Sequence, residues 1–118
     1  MEKTIRVGER EITFKATAGT ARRYRQKFGR DLLLDINKAA PNAAKGSLGS
    51  GDIEIFENLA YIMAKQADDT LTEDPEEWLD TFEPFEMYGA LNEVVTLWAE
   101  SSATLETSKK KAGARSGR

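Results

Sequence analysis

The spacing of apolar residues changes near Lys15, and this change constrains the fold more than any other feature of the sequence. Between Thr4 and Lys15, apolar and polar residues alternate, with Ile5 and Val7 in one run and Ile12 and Phe14 in the next. A period of two is typical of half-buried strands, and Gly8-Glu9 can supply a two-residue turn because Gly tolerates positive φ. The pattern predicts a β-hairpin with Ile5 opposite Ile12. Its apolar face must pack on helices, since a lone hairpin is marginal in water.

From Thr17 to Ala40 the spacing becomes helical, and either Thr17 or Thr20 can cap the helix start. Gly29 is expected to break or bend this helix, because Gly costs about 1 kcal/mol relative to Ala there. The predicted apolar face consists of Ala21, Tyr24 and Phe28, continued by Leu32, Leu33 and Ile36. The segment Pro41–Gly51 is rich in Gly, Ser and Asn and is predicted to be a mobile loop.

The second half of the chain predicts three more helices. The first runs from Asp52, as its cap, to Ala67, with an apolar stripe of Ile55, Phe56, Leu59, Ile62 and Met63. A short helix follows Asp74, with Pro75 in its first position, and points Trp78, Leu79 and Phe82 inward. The last runs from Phe85 to about Leu105, with Tyr88, Leu91, Val95 and Trp98 on one face and Val94 widening it.

These elements predict an α+β, mainly helical fold, in which an N-terminal hairpin packs on about four helices. At 118 residues the chain is expected to form a single domain, spanning residues 1–106. Residues 107–118 are polar and basic, and we expect them to form a disordered tail.

The chain contains no cysteine and no histidine, which narrows its chemistry. Thiolate chemistry is excluded, and the commonest general base and metal ligand are missing. No run of about 20 apolar residues could span a bilayer, and the N-terminus lacks the apolar region of a secretory signal. We therefore expect a non-enzymatic cytoplasmic protein with no catalytic, cofactor-binding or metal-binding residues, no cofactor and no membrane partner.

Charge is distributed unevenly along the chain. Residues 1–51 carry a net charge of +6, residues 52–106 carry −14, and residues 107–118 carry +5. Such a chain can pair its own halves or present opposite poles to two partners.

Two charged clusters have functional and structural interpretations. The basic run of Arg22, Arg23, Arg25, Lys27 and Arg30 could contact phosphates. A solvated helix face, or one paired with the acidic second half, explains the run better, because the chain as a whole is acidic and carries no recognised nucleic-acid motif. We therefore expect no nucleic-acid partner. The acidic segment from Asp68 to Asp80 lacks the central Gly of an EF-hand loop, so helix capping explains it better than calcium binding. The candidate partner-binding residues are Arg22, Arg23, Arg25, Trp78, Phe82, Tyr88 and Trp98, of which the aromatic ones have packing in the core as the simpler explanation.

Three blocks of sequence, Phe14–Asp31, Phe56–Ala67 and Pro75–Asp80, resemble tail assembly chaperones of long-tailed phages and prophages of Gram-positive bacteria. The resemblance covers about residues 4–111. It implies a protein that binds the helical tape-measure protein and helps recruit tail-tube subunits, acts in the host cytoplasm, and is absent from the mature virion. Self-association is compatible with acting in many copies along a filament.

The resemblance also implies a hypothesis about expression. Many such genes make a longer product by −1 frameshifting, and Lys109-Lys110-Lys111 can be encoded by an A-rich slippery run. An ordinary basic tail is the simpler explanation of these lysines. The alternative functions are a small nucleic-acid-binding regulator that uses the basic helix 20–30, and an enzyme, for which the sequence offers no motif.

Overall fold

The computed structural model describes the backbone of residues 1–116 and the side chains of residues 1–101. The predicted disordered tail, including the lysines of the frameshift hypothesis, has its side chains outside this described part. The elements are β1 (Glu2–Val7), β2 (Arg10–Lys15), α1 (Thr20–Phe28), α2 (Leu32–Ala44), α3 (Ser50–Ala67), α4 (Pro75–Leu79) and α5 (Pro84–Ser116). The predicted class, a hairpin packed on a mainly helical domain, is confirmed.

The two strands pair antiparallel in the predicted register, with Ile5 opposite Ile12. Gly8 adopts a φ of 64° and so makes the tight turn that the sequence predicts. The inner face of the hairpin carries Ile5, Val7 and Phe14, all buried. This face packs against α3 through β2 and against α5 through β1, so helices supply the cover that an isolated hairpin lacks.

The first predicted helix divides at Gly29, as expected. Gly29 ends α1 in the left-handed conformation, with a φ of 67°. The carboxylate of Asp31 then caps α2 by accepting the backbone N–H of Leu34 at 3.1 Å. The predicted threonine cap of α1 is wrong, because Gly19 occupies that position without a side-chain bond. Thr20 is the first helical residue instead, and its hydroxyl donates to the side-chain oxygen of Gln66 on α3.

The loop predicted over Pro41–Gly51 is shorter in the structure. Its first part is helical, because α2 continues through Pro41 to Ala44, and α3 begins at Ser50. Proline removes one helical hydrogen bond, to the carbonyl of Asn37. That carbonyl belongs to an exposed residue, so water can satisfy it and the cost is reduced. The prediction that Leu33 continues the buried face is also wrong, since this side chain is 55% exposed.

Helix α3 lies at the centre of the domain and contacts β2 and each of the other helices. Residues 59–64 are all buried, which is possible only for a helix covered on every side. The helix begins at Ser50, two residues before the predicted Asp52 cap. Asp52 instead accepts the backbone N–H of Gly49 from within the first turn.

The chain reverses between α3 and α5 through the short helix α4. Asp74 caps α4 as predicted, accepting the backbone N–H of Glu76 at 3.0 Å, and Pro75 is the first helical residue. Helix α5 buries Met87, Ala90, Leu91, Val94 and Leu97. This face is rotated by about one residue from the predicted one, so Tyr88 is 48% exposed rather than inside. No helix in the described residues has the length and apolar character needed to cross a membrane.

Candidate protein-binding surfaces

The outward side of α2 is mainly apolar, with one exposed cation, Lys38, at its edge. We define the α2 outer face as the exposed residues Leu33, Leu34, Asn37, Ala40, Pro41 and Ala44. At 100° per residue they fall within an arc of about 120°, opposite the buried positions Leu32, Asp35 and Ala39. Leu33 and Leu34 are 55% and 68% exposed.

Such a surface is unusual on a helix that faces water. A surface helix normally carries several charged residues on its outer side, whereas the exposed residues of α2 include only two polar side chains, Asn37 on the outer face and Lys38 beside it. Its small residues, Ala40 and Ala44, leave the backbone accessible to a closely packed neighbour. Contiguous exposed apolar surface is typical of protein–protein contacts.

A groove between α3, α4 and the start of α5 forms a second candidate surface, which we call the acidic groove. Its volume is about 390 Å³. Its apolar wall consists of Leu79, Phe82, Pro84, Met87 and the ring of Tyr88, and its rim carries four carboxylates, those of Glu57, Glu76, Asp80 and Glu83. Among the residues whose side chains the structure describes, no lysine or arginine lines the groove.

Aromatic packing fixes the floor of the acidic groove. Trp78 is buried and meets Tyr61 edge to face, with ring centroids 5.8 Å apart. Phe82 packs on Trp78 in the same manner at 5.1 Å, and the guanidinium of Arg10 lies 4.1 Å from the centroid of the Phe82 ring. Arg10 also donates to the hydroxyl of Thr81 at 2.8 Å. Through Arg10, the hairpin therefore contacts and positions Phe82, a residue of the groove wall.

One carboxylate of the acidic groove, that of Glu57, lies in an environment that disfavours its charge. Glu57 is half-buried, whereas Glu76, Asp80 and Glu83 are exposed. Burial raises the pKa of Glu57 above its usual range, and the nearby charge of Glu54 raises the pKa further. Four carboxylates line the groove, so the groove favours positively charged ligands.

Exposed aromatic residues stand at the start of α5 beside this groove. Phe85 is 88% exposed and follows Pro84 of the groove wall, while Tyr88 is itself a wall residue. The turn before them is held by Glu86, whose carboxylate accepts the backbone N–H of Glu83 at 2.9 Å. Because this turn fixes the start of α5, the Phe85 ring stays exposed to water, and burying it against a partner would be favourable.

A polar network under α1 and α2 serves the fold. The carboxylate of Asp35 is buried, accepts the hydroxyl of Tyr24 at 3.0 Å, and accepts Nε and Nη2 of Arg30 at 2.8 and 2.7 Å. The bonds from Arg30 lower the pKa of Asp35 against the opposing effect of burial. Burial, and then the bond to Asp35, raise the pKa of Tyr24. These groups satisfy one another and are not poised for proton transfer at neutral pH.

The predicted partner-binding residues do not form one site. Arg22, Arg23 and Arg25 are exposed on α1, and the ion pairs within residues 1–101 include none of them. Phe82 and Tyr88 line the acidic groove, with Trp78 beneath Phe82. Trp98 is partly buried on α5 and is not a lining residue of the groove.

Sequence reasoning missed Leu33, Leu34 and Phe85. Successive residues in a helix point 100° apart, so Leu32, Leu33 and Leu34 cannot all face one core. That spacing was a signal for an outward-facing pair of leucines. For Phe85 the sequence gives no comparable signal, because its exposure depends on how α5 is rotated.

Within residues 1–101 no group of three or more acidic side chains is arranged to hold a metal ion. Comparisons with protein-family models, with curated proteins and with solved structures find no match to this chain.

Proposed function

We propose that this protein is a tail assembly chaperone of a long-tailed phage or prophage of Gram-positive bacteria. In this role it binds the tape-measure protein in the host cytoplasm, helps recruit tail-tube subunits, and leaves before the virion is complete. The observation that carries the proposal is the α2 outer face, an uncharged apolar helix surface without a partner in the described residues. The resemblance of the three sequence blocks supplies the biological setting.

The physical argument concerns what the α2 outer face can bind. A long apolar helix aggregates in water unless another apolar surface covers it temporarily. Leu33 and Leu34 offer side chains that can enter the grooves of such a helix, and Ala40 and Ala44 allow close approach along the rest of the face. The absence of charge means that binding requires little desolvation of ionic groups.

The test is co-expression with the large helical protein encoded downstream, followed by pull-down. We expect the wild-type chain to keep that protein soluble and to co-purify with it. The variant Leu33→Glu/Leu34→Glu should lose both effects. Because both leucines are more than half exposed, we expect this variant to remain folded, with stability changed by about 0.5 kcal/mol or less.

A matched control places the same charges elsewhere. Asn92 and Thr96 are exposed on α5, and Asn92→Glu/Thr96→Glu adds two carboxylates to a helix surface away from α2. This control should co-purify like the wild type. If the wild-type chain leaves the tape-measure protein insoluble, or if both double variants bind equally well, the proposed role of the α2 outer face is refuted.

The second candidate function is a small nucleic-acid-binding regulator. The observation that favours it is that Arg22, Arg23 and Arg25 are exposed and outside the ion pairs of the described residues. Binding to duplex DNA would then weaken steeply with salt, and Arg22→Gln/Arg25→Gln would reduce the salt dependence. Absence of DNA binding at low salt would exclude this function.

A further inference from the structure

We infer that the acidic groove is a self-association site, occupied by the basic segment 107–118 of a second copy of this chain. This inference depends on the charge and shape of the groove and not on tape-measure binding. Its test therefore fails or succeeds independently of the proposed function.

The groove has the properties of a peptide-binding site for a basic segment. Four carboxylates and an apolar wall line it, and none of the lining residues within 1–101 carries a positive charge. Phe85 and Tyr88 add exposed aromatic surface, on which the stems of lysine and arginine side chains can pack. An apolar wall within an acidic rim selects for segments that combine cations with methylene or methyl groups.

The chain itself contains a C-terminal segment of that chemistry. Residues 107–118 include five cations, Lys109, Lys110, Lys111, Arg115 and Arg118, and no carboxylate. The other basic residues lie in or beside the hairpin, α1, α2 and α3, whereas this segment includes the last turns of α5. The five positive charges of this segment nearly match the four negative charges of the groove. Specific docking uses this kind of charge complementarity.

The direction of α5 favours a second copy as the donor of the segment. Pro84 of the groove wall is the first residue of α5, and Ser101 is 17 residues farther along the helix. Tyr88 is a groove residue on α5 that precedes Lys109 by 21 residues, and the helix continues to Ser116. At 1.5 Å per residue, the helix carries Lys109 about 32 Å away from the groove of its own chain. A neighbouring chain meets no such restriction.

Association of this kind is head-to-tail. The groove and the basic segment are different surfaces, so each copy can accept one neighbour and donate to another. The resulting assembly is open, and its mean size increases with protein concentration and decreases with salt.

The test measures the mass of the full-length protein by sedimentation velocity over a range of concentrations and salt. For the wild type at low ionic strength we expect a weight-average mass that rises with concentration and returns to the monomer value in high salt. Two neutralised variants, Glu76→Gln/Asp80→Asn in the groove and Lys109→Gln/Lys110→Gln/Lys111→Gln in the basic segment, should each associate at least about tenfold more weakly.

Mixing the two variants tests the pairing directly. The basic segment of the groove variant can still dock in the intact groove of the lysine variant, so the mixture should form a one-to-one complex that does not grow further. The control Glu77→Gln/Glu93→Gln removes the same charge from exposed residues outside the groove, and it should associate like the wild type.

Three results would overturn the inference. The wild type could be monomeric at every concentration in low salt. The control could lose association as fully as the groove variant, which would indicate a general effect of charge. Finally, a synthetic peptide of residues 107–118 could bind the lysine variant but not the wild type while both are monomeric, which would place the segment in the groove of its own chain.

Discussion

Replacing Asp35 with alanine tests whether the buried polar network holds α1 and α2 together. The substitution removes the acceptor of the Tyr24 hydroxyl and of two donors of Arg30. The side chain of Arg30 is 56% exposed, so water can replace its lost partner. Tyr24 is fully buried, and its hydroxyl would be left without an acceptor. An orphaned buried group costs about 1–3 kcal/mol, so we expect Asp35→Ala to lower the free energy of unfolding by about 2–3 kcal/mol.

The double variant Asp35→Ala/Tyr24→Phe provides the decisive comparison. It removes the orphaned hydroxyl together with its acceptor, so we expect it to be more stable than Asp35→Ala alone. Urea unfolding at pH 7, followed by tryptophan fluorescence and circular dichroism, gives the free energies, and an unchanged m-value confirms that the same surface is exposed. If the double variant is less stable than Asp35→Ala, the hydroxyl was not orphaned and the reasoning is refuted.

The same carboxylate predicts a pH dependence. The bonds from Arg30 hold the pKa of Asp35 below its ordinary value of 3.8 in the folded state. The stabilisation from its charge is therefore complete above that value and is lost as the pH falls through the lowered pKa. The stability difference between the wild type and Asp35→Asn should narrow in acid. A difference that stays constant well below pH 3.8 would contradict this account.

Three further substitutions test other parts of the structure. Gly8 has a φ of 64°, and a Cβ there would collide with the Glu86 carboxylate, so Gly8→Ala should destabilise the fold by about 1–2 kcal/mol. The loss should exceed that of Gly29→Ala, where the φ is 67° and the space is open. Equal losses would show that Glu86 moves freely. Trp78→Ala should cost about 3–5 kcal/mol in urea unfolding, and a loss below about 1 kcal/mol would mean that the groove floor does not depend on it. Because burial raises the pKa of Glu57, Glu57→Gln should increase stability at pH 7, with the gain disappearing as the pH falls through that raised pKa.

The hairpin and the division at Gly29 could be predicted because each depends on neighbours in sequence. Alternation of apolar residues fixed the register, with Ile5 opposite Ile12. A glycine in the middle of a helical pattern indicated the left-handed turn. The continuation of α2 through Pro41 could not be predicted in the same way, since the cost of proline depends on whether the freed carbonyl faces water.

The candidate surfaces were harder to predict because they depend on tertiary packing. The rotation of α5 about its axis, which exposes Tyr88, is set by contacts with β1 and α3. The acidic groove combines Glu57 of α3 with residues from α4 and α5, and no local pattern places these together. The buried Asp35 is a similar case, because its acceptor role appears only when Tyr24 and Arg30 meet it in space.

The contact between β1 and α5 has a consequence for the order in which the domain can form during synthesis. The apolar side of the first strand, including Val7, is covered by a helix whose first buried residue is Met87. At about 5–20 residues per second, a ribosome needs about 4–16 s to add the 80 residues between them. Throughout that interval the hairpin lacks part of its cover, so the completed domain closes only after most of the chain has been made. Slower translation of the second half should therefore lengthen the time for which the nascent chain is vulnerable to proteases and aggregation.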